Sequence, residues 1–145
     1  MTVQFLKNAW YVGTLSSELK QGETIARKIM GESIVFYRKE NGEPVALRNR
    51  CPHRFAPLSS GKLVGDDIAC PYHGLRFNPE GQCTHNPHGE GLIPKAAHVA
   101  SYPLEERYGF IWIWTGDKPA DLSLLPDYSE LEEGDPNAVG YTYIT

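Results

Sequence analysis

"CPHR" at 51–54 and "CPYHG" at 70–74 decide how this chain is read. Each opens Cys-Pro and sets a histidine within three residues of the cysteine, giving Cys51 with His53 and Cys70 with His73. Sixteen residues separate the two pairs. Buried thiols beside hydrogen-bonded histidines are one reading, since free cysteine is a common core residue. Pro-rich polar loops, however, are poor places for core packing. Structural zinc is a second reading, but its usual Cys₂His₂ spacing groups like with like, C-x₂₋₄-C and then H-x₃₋₅-H. Here each loop supplies one cysteine and one histidine.

The flanks read as β-structure. "TIARKIM" (24–30) and "SIVFYRK" (33–39) are rich in β-branched and aromatic residues and separated by "GE". Asn41–Gly42 is a hairpin signal in which both residues tolerate positive φ, and "PVALRNR" (44–50) returns the chain to Cys51. "IAC" (68–70) delivers it to the second loop. "LRF" (75–77), an "NPEG" turn and "QCT" (82–84) then form another hairpin, and "VASYPLEE" and "GFIWIWT" end the series. Short strands at this spacing predict an all-β, antiparallel sandwich or barrel. Helix signal is limited to one capped turn at "SSELK" (16–20).

Composition is that of a soluble globular domain: 145 residues, 41% hydrophobic and 22% charged. No apolar run approaches the roughly 18–20 residues of a membrane span, and no export signal is readable, so no membrane partner and a cytoplasmic location are expected. Three cysteines, Cys51, Cys70 and Cys83, are an odd count that points to metal binding or buried thiols. A sequence pI of 5.7 without a basic aromatic stripe gives no sign of a nucleic-acid partner. Charge divides the chain: residues 1–115 carry 13 Lys+Arg and 11 Asp+Glu, residues 116–145 one Lys and seven acids. Residues 1–115 are therefore read as the domain and 116–140 as an acidic, Pro/Gly-rich linker or arm. Residues 141–145, "YTYIT", alternate like the first strand of a further, missing domain.

A third reading accounts for the repeated device. In a Rieske [2Fe–2S] cluster one iron takes two thiolates and the other two imidazoles, so two facing loops of one Cys and one His each reach both irons. "CPHRFAPLSSG" and "CPYHGLRF" resemble the Rieske motif C-x-H…C-x-x-H. With "NAWYVG" and "GFIWIWTGD", they resemble the N-terminal region of aromatic-ring oxygenase components of the dicamba and vanillate O-demethylase branch. The resemblance implies the Rieske fold, a sandwich with a smaller cluster-binding subdomain of two Cys/His loops. It implies one cluster held by Cys51, His53, Cys70 and His73. Around it Arg54, Tyr72 and Gly74 are expected, with N–H donors to the sulfides from His53, Arg54, His73 and Gly74, because Pro52 and Pro71 have none.

Respiratory Rieske proteins carry extra cysteines and a hydroxyl donor where this chain has Arg54, Tyr72 and Leu75. The resemblance therefore implies a potential nearer the roughly −150 mV end of the Rieske range than the +300 mV end. It further implies a ferredoxin or a flavin/iron–sulfur reductase as electron donor, a homotrimer for the full-length family, and a mononuclear non-haem Fe(II) in the missing domain. No histidine follows His98, so no residue here is expected to make or break substrate bonds. Arg48, Arg50, Arg54, Lys62 and Arg76 lie in or beside the loops and can be solvated charge or a basic surface for an acidic donor. A free-standing Rieske ferredoxin and a zinc-stabilised binding module are the alternative functions.

Overall fold

The computed structural model describes residues 7–52, 56–71, 74–86 and 97–125. Among the described residues ten strands run in chain order: β1 (Ala9–Leu15), β2 (Ile25–Ile29), β3 (Glu32–Arg38), β4 (Pro44–Arg48), β5 (Lys62–Val64), β6 (Asp67–Ala69), β7 (Arg76–Phe77), β8 (Cys83–His85), β9 (Leu104–Arg107) and β10 (Phe110–Thr115). They form three antiparallel sheets of order β1-β10-β9, β2-β3-β4 and β5-β6-β7-β8. The only helical elements among the described residues are short 3-10 turns, at Ser16–Glu18, Leu58–Ser60 and Leu122–Leu124.

The middle sheet is covered on both faces, which explains why β3 reads as a continuous apolar run. Its side chains alternate between two cores. Val35 and Tyr37 of β3, with Val45 and Leu47 of β4, join Ile68, Phe77, Cys51, Cys70 and Cys83 on one side. Ile34, Phe36 and Ala46 join Ile111 and Ile113 of β10 on the other. Each fully buried large apolar side chain contributes about 1.5–3 kcal/mol, and Phe36, Tyr37 and Phe77 are all fully buried. The chain crosses from one outer sheet to the other along the edge of β4, where Arg48 N–H donates to Ala100 O at 2.8 Å and Tyr102 N–H to Ala46 O at 3.1 Å.

One arginine ties the middle sheet to the β1-β10-β9 sheet. Arg38 donates to Leu19 O (2.7 Å), Gly42 O (2.8 Å), Ser16 O (3.0 Å) and both carboxylate oxygens of Glu106 on β9 (2.7 and 3.1 Å). That hydrogen-bonded guanidinium holds the Glu106 carboxyl below the usual carboxylate range.

Four sequence expectations change in detail. Two strands, β1 and β5, were not read as strands, and "VASYPLEE" is extended as β9 only from Leu104. The Asn41–Gly42 turn is not a two-residue loop: Lys39 N–H donates to Glu43 O at 2.8 Å, and only Gly42 has positive φ, +93°. This is the three-residue loop in which a single left-handed residue completes the turn. The two-residue loop with both φ positive is instead Met30–Gly31 (53° and 77°), between the paired ends Ile29 and Glu32.

Residues 116–125 lie along the outer sheet. Trp10 Nε1 donates to Asp121 O and Trp114 Nε1 to Lys118 O, both at 2.8 Å. Asn8 Oδ1 accepts from Lys118 N–H at 2.9 Å. The two indoles meet edge to face at 5.3 Å. Residues 126–145, including the expected strand at 141–145, lie outside the described residues.

Candidate metal centre

Cys51 and Cys70 stand at the starts of two loops that close in the same way. Cys51 N–H donates to Ala56 O at 2.8 Å, and Cys70 N–H donates to Leu75 O at 2.7 Å. In both loops the bond spans five residues and the next residue is proline, so the first two backbone positions have no N–H left to give. Both cysteines are buried, 0% and 4% exposed, and share one cluster with Ala56, Leu58, Ile68, Leu75 and Phe77. A pair of cysteines buried in one apolar cluster, each at the start of a Cys-Pro loop, fits a soft metal group shielded from water. Among the described residues no group of three or more His, Cys, Asp and Glu could hold a metal ion. His53, Arg54, Tyr72 and His73 lie outside the described residues.

The loops differ in what carries them. The second caps the β6–β7 hairpin: Ile68 pairs with Phe77 and Ala69 with Arg76, so Cys70 and Leu75 simply continue the ladder. Gly74 turns the loop back with φ +73°, a conformation that costs other residues about 1–2 kcal/mol. Its N–H donates to Cys70 O at 3.1 Å. Gly74 thus closes the loop on Cys70. Gly61 supports this loop from β5: a Cβ there would overlap the Ala69 carbonyl, one residue before Cys70.

The first loop joins two sheets and has no hairpin beneath it. Asn49, 8% exposed, does that work. Its Nδ2 donates to Ser33 Oγ (3.1 Å) and Ser59 Oγ (2.9 Å), its Oδ1 accepts from Ser59 N–H (2.7 Å), and its own N–H donates to Ser33 O (2.9 Å). One buried amide therefore pins both ends of the loop to β3. Sequence reasoning missed Asn49. The available signal was a polar residue that breaks the apolar alternation of β4, two positions before the cysteine.

Cys83 packs in the same core but is not part of the loops. Burial pushes its thiol up, and its Sγ–H reaches His85 O at 3.7 Å. His98 is exposed and forms an isolated bridge with Gln82. Trp112 and Trp114 lie on β10, on the far side of the middle sheet from the cysteines. The basic residues divide. Arg48 pairs with Glu32 at 3.4 Å, whereas Lys62 and Arg76 sit on the sheet that carries the second loop.

Comparison with known proteins gives one consistent picture. The family model described as "Rieske [2Fe-2S] domain" matches residues 9–103. The oxygenase component of chloroacetanilide N-alkylformylase from Rhizorhabdus wittichii is 50% identical over 113 residues, 78% of this chain and 32% of that protein. The oxygenase component of dicamba O-demethylase from Stenotrophomonas maltophilia is 48% identical over 125 residues, 86% and 37% of the two chains. The crystal structure of dicamba monooxygenase bound to 3,6-dichlorosalicylic acid superposes with a TM-score of 0.86 at 46% identity, covering 92% of this chain and 39% of that one. The chain spans about a third of the length of these curated relatives.

Proposed function

This chain belongs to the Rieske [2Fe-2S] domain family, in the branch of non-haem iron oxygenase components, and on that premise we propose that it is the electron relay of such an oxygenase. Cys51, His53, Cys70 and His73 would hold one [2Fe–2S] cluster, one thiolate and one imidazole from each loop. When bound, a cluster of this ligation supplies a one-electron carrier whose potential follows its charge, hydrogen bonding and exposure. The observation that carries the reading is the matched closure of two buried Cys-Pro loops over one core.

The protein's own residues do three things in this reading. The core around Cys51 and Cys70 excludes water from the thiolate side. The five-residue closures and Gly74 fix the direction in which each cysteine points. Asn49 holds the first loop at a set position against β3, so that two loops on different supports meet one group. Oxidation of an organic substrate, with an O-demethylase or related monooxygenase activity, is assigned to a mononuclear iron site in a further domain, fed from this relay. The electron enters from a ferredoxin or a flavin/iron–sulfur reductase. A trimeric, cytoplasmic oxygenase is the whole-protein form this reading favours. Among the described residues no helix is long and apolar enough to cross a membrane.

Metal and sulfide analysis of the purified protein tests the proposal. Two irons and two acid-labile sulfides per chain, with visible absorption that bleaches on one-electron reduction, are expected. Colourless protein carrying zinc and no sulfide would overturn it in favour of a binding module.

A further inference from the structure

The cross-strand register of the β5–β8 sheet places three residues far apart in sequence in a single row. Lys62 pairs with Ala69, Ala69 with Arg76, and Arg76 with His85. Directly paired residues in a sheet project from the same face. The opposite face holds Ile68, Phe77 and Cys83 in the core, so Lys62 and Arg76 face outward, and the register shift between the Phe77–Cys83 and Arg76–His85 pairs takes the exposed His85 off the Cys83 face to stand beside Arg76. Lys62 and His85 are exposed and Arg76 is half-buried. The row spans the sheet, about 14 Å across at about 4.8 Å per strand. It lies at the loop end: Ala69 immediately precedes Cys70 and Arg76 immediately follows Leu75.

The other end of the same sheet is acidic. Asp66 and Asp67 occupy the β5–β6 turn and the start of β6, and Glu80 the β7–β8 turn. The Tyr37 hydroxyl donates to Asp66 O at 2.7 Å, and its pKa is raised first by burial and then by the charges of Asp67, Asp66 and Glu80. Asp66 also accepts from Glu40 N–H at 2.8 Å, which brings Glu40 to that end. Asp67 accepts from Thr84 Oγ1 at 2.8 Å. Two residues of strand, about 7 Å, thus separate a cationic end beside the cysteine loops from an anionic end at the turns.

We propose that the Lys62–Arg76–His85 row is the docking strip for a small acidic electron-donor protein, and that the carboxylates at the far end orient it by repulsion. The proposal rests on the relay reading above and adds the place and polarity of contact. The transfer moves one electron: the donor is oxidised by one unit, the group held by the two loops is reduced by one, and no bond is made or broken. Charge complementarity commits the strip to an acidic partner. The two cations of the row, Lys62 and Arg76, attract carboxylates at the cluster end, and the anionic turns exclude the same partner from a shifted register.

The test uses the cluster-loaded protein and an acidic plant-type [2Fe–2S] ferredoxin as probe. Two readouts are taken, the Kd by titration calorimetry and the stopped-flow rate of reduction by the reduced probe. Lys62→Glu/Arg76→Glu is expected to weaken binding and slow reduction on the order of 10-fold or more at low ionic strength. The difference should vanish near 1 M salt, where the screening length is about 3 Å. Lys20→Glu/Lys28→Glu makes the same change in net charge on exposed residues elsewhere and should shift both readouts by less than about 3-fold, the residue of net charge alone. Photoreduced deazaflavin, a small reductant with no docking surface, should reduce all variants alike. Equal losses in the two double variants, or none in either, would overturn the strip.

Should charge reversal impair folding, Lys62→Gln/Arg76→Gln carries the same test. Wild-type binding that does not weaken with salt would also overturn the proposal. So would self-association, abolished by the reversal, in protein that binds no probe. Failure of the relay reading looks different: wild-type protein without iron or sulfide, whatever the Kd of the probe.

Discussion

The two cysteine loops close with the same hydrogen bond but stand on different supports. The second is the end of a hairpin, so the β6–β7 ladder positions Cys70 and Leu75 at no further cost. The first connects the middle sheet to β5, and side chains must replace the missing ladder; Asn49 bonds to Ser33 and Ser59 for that purpose. A repeated motif therefore need not imply a repeated scaffold. What is conserved between the loops is the local geometry of the cysteine, and what differs is the means of holding it.

The largest effect should ignore that difference. Cys51→Ser and Cys70→Ser are each expected to abolish iron retention, because metal binding and loop order are coupled. Iron content per chain checks this, and a variant that kept both irons would break the equivalence of the loops.

The next effects should separate them. Gly61→Ala places a Cβ against the Ala69 carbonyl, a backbone atom with no flexible end to yield. A loss of about 3 kcal/mol is expected, seen in denaturant unfolding and as faster release of iron. Asn49→Ala acts on the first loop only. It strands Ser59 N–H at a half-buried site and should cost about 1 kcal/mol. Gly74→Ala forces a side chain into positive φ in the second loop and should cost about 1–2 kcal/mol. Combining Asn49→Ala with Gly74→Ala sharpens the comparison. Additive losses mean independent supports, whereas a shortfall means the loops fail as one unit.

The smallest effect lies outside both loops. Glu106 is held ionised by the Arg38 hydrogen bond. A carboxyl with a depressed folded-state pKa stabilises above its unfolded value, and that contribution is lost as pH falls through the folded value. Glu106→Gln should therefore flatten the acid limb of the stability profile below the ordinary carboxylate range. Iron content at neutral pH should not change. Urea midpoints across pH, alongside iron analysis, check both halves.

Much of this was legible in the sequence, and for physical reasons. The Cys-x-His and Cys-x-x-His pairs stand out in the sequence as a repeated device, although spacing alone left thiol, zinc and iron–sulfur readings open and the resemblance to the Rieske motif chose among them. Alternation and turn residues located β2, β3, β4 and β10 within a residue or two. Other features were not legible. Strand β5 is only three residues long, and its apolar content is two residues, too short for periodicity to register. The Asn41–Gly42 signal is compatible with two loop lengths, and only the Lys39–Glu43 bond decides between them. Lys62, Arg76 and His85 are 14 and nine residues apart, and only the sheet register makes them neighbours. Asn49 was hidden for a related reason. Its importance lies in partners 16 and 10 residues away.

The central claim is that both loops serve one cluster with two thiolates on one iron and two imidazoles on the other. Electron paramagnetic resonance of the reduced protein tests it most directly, because the signal reports the ligands of the reduced pair. The account predicts a single [2Fe–2S] signal with the low average g that imidazole ligation produces, lost together in Cys51→Ser and in Cys70→Ser. An iron-loaded protein with the higher average g of an all-thiolate cluster, or with no [2Fe–2S] signal, would contradict it.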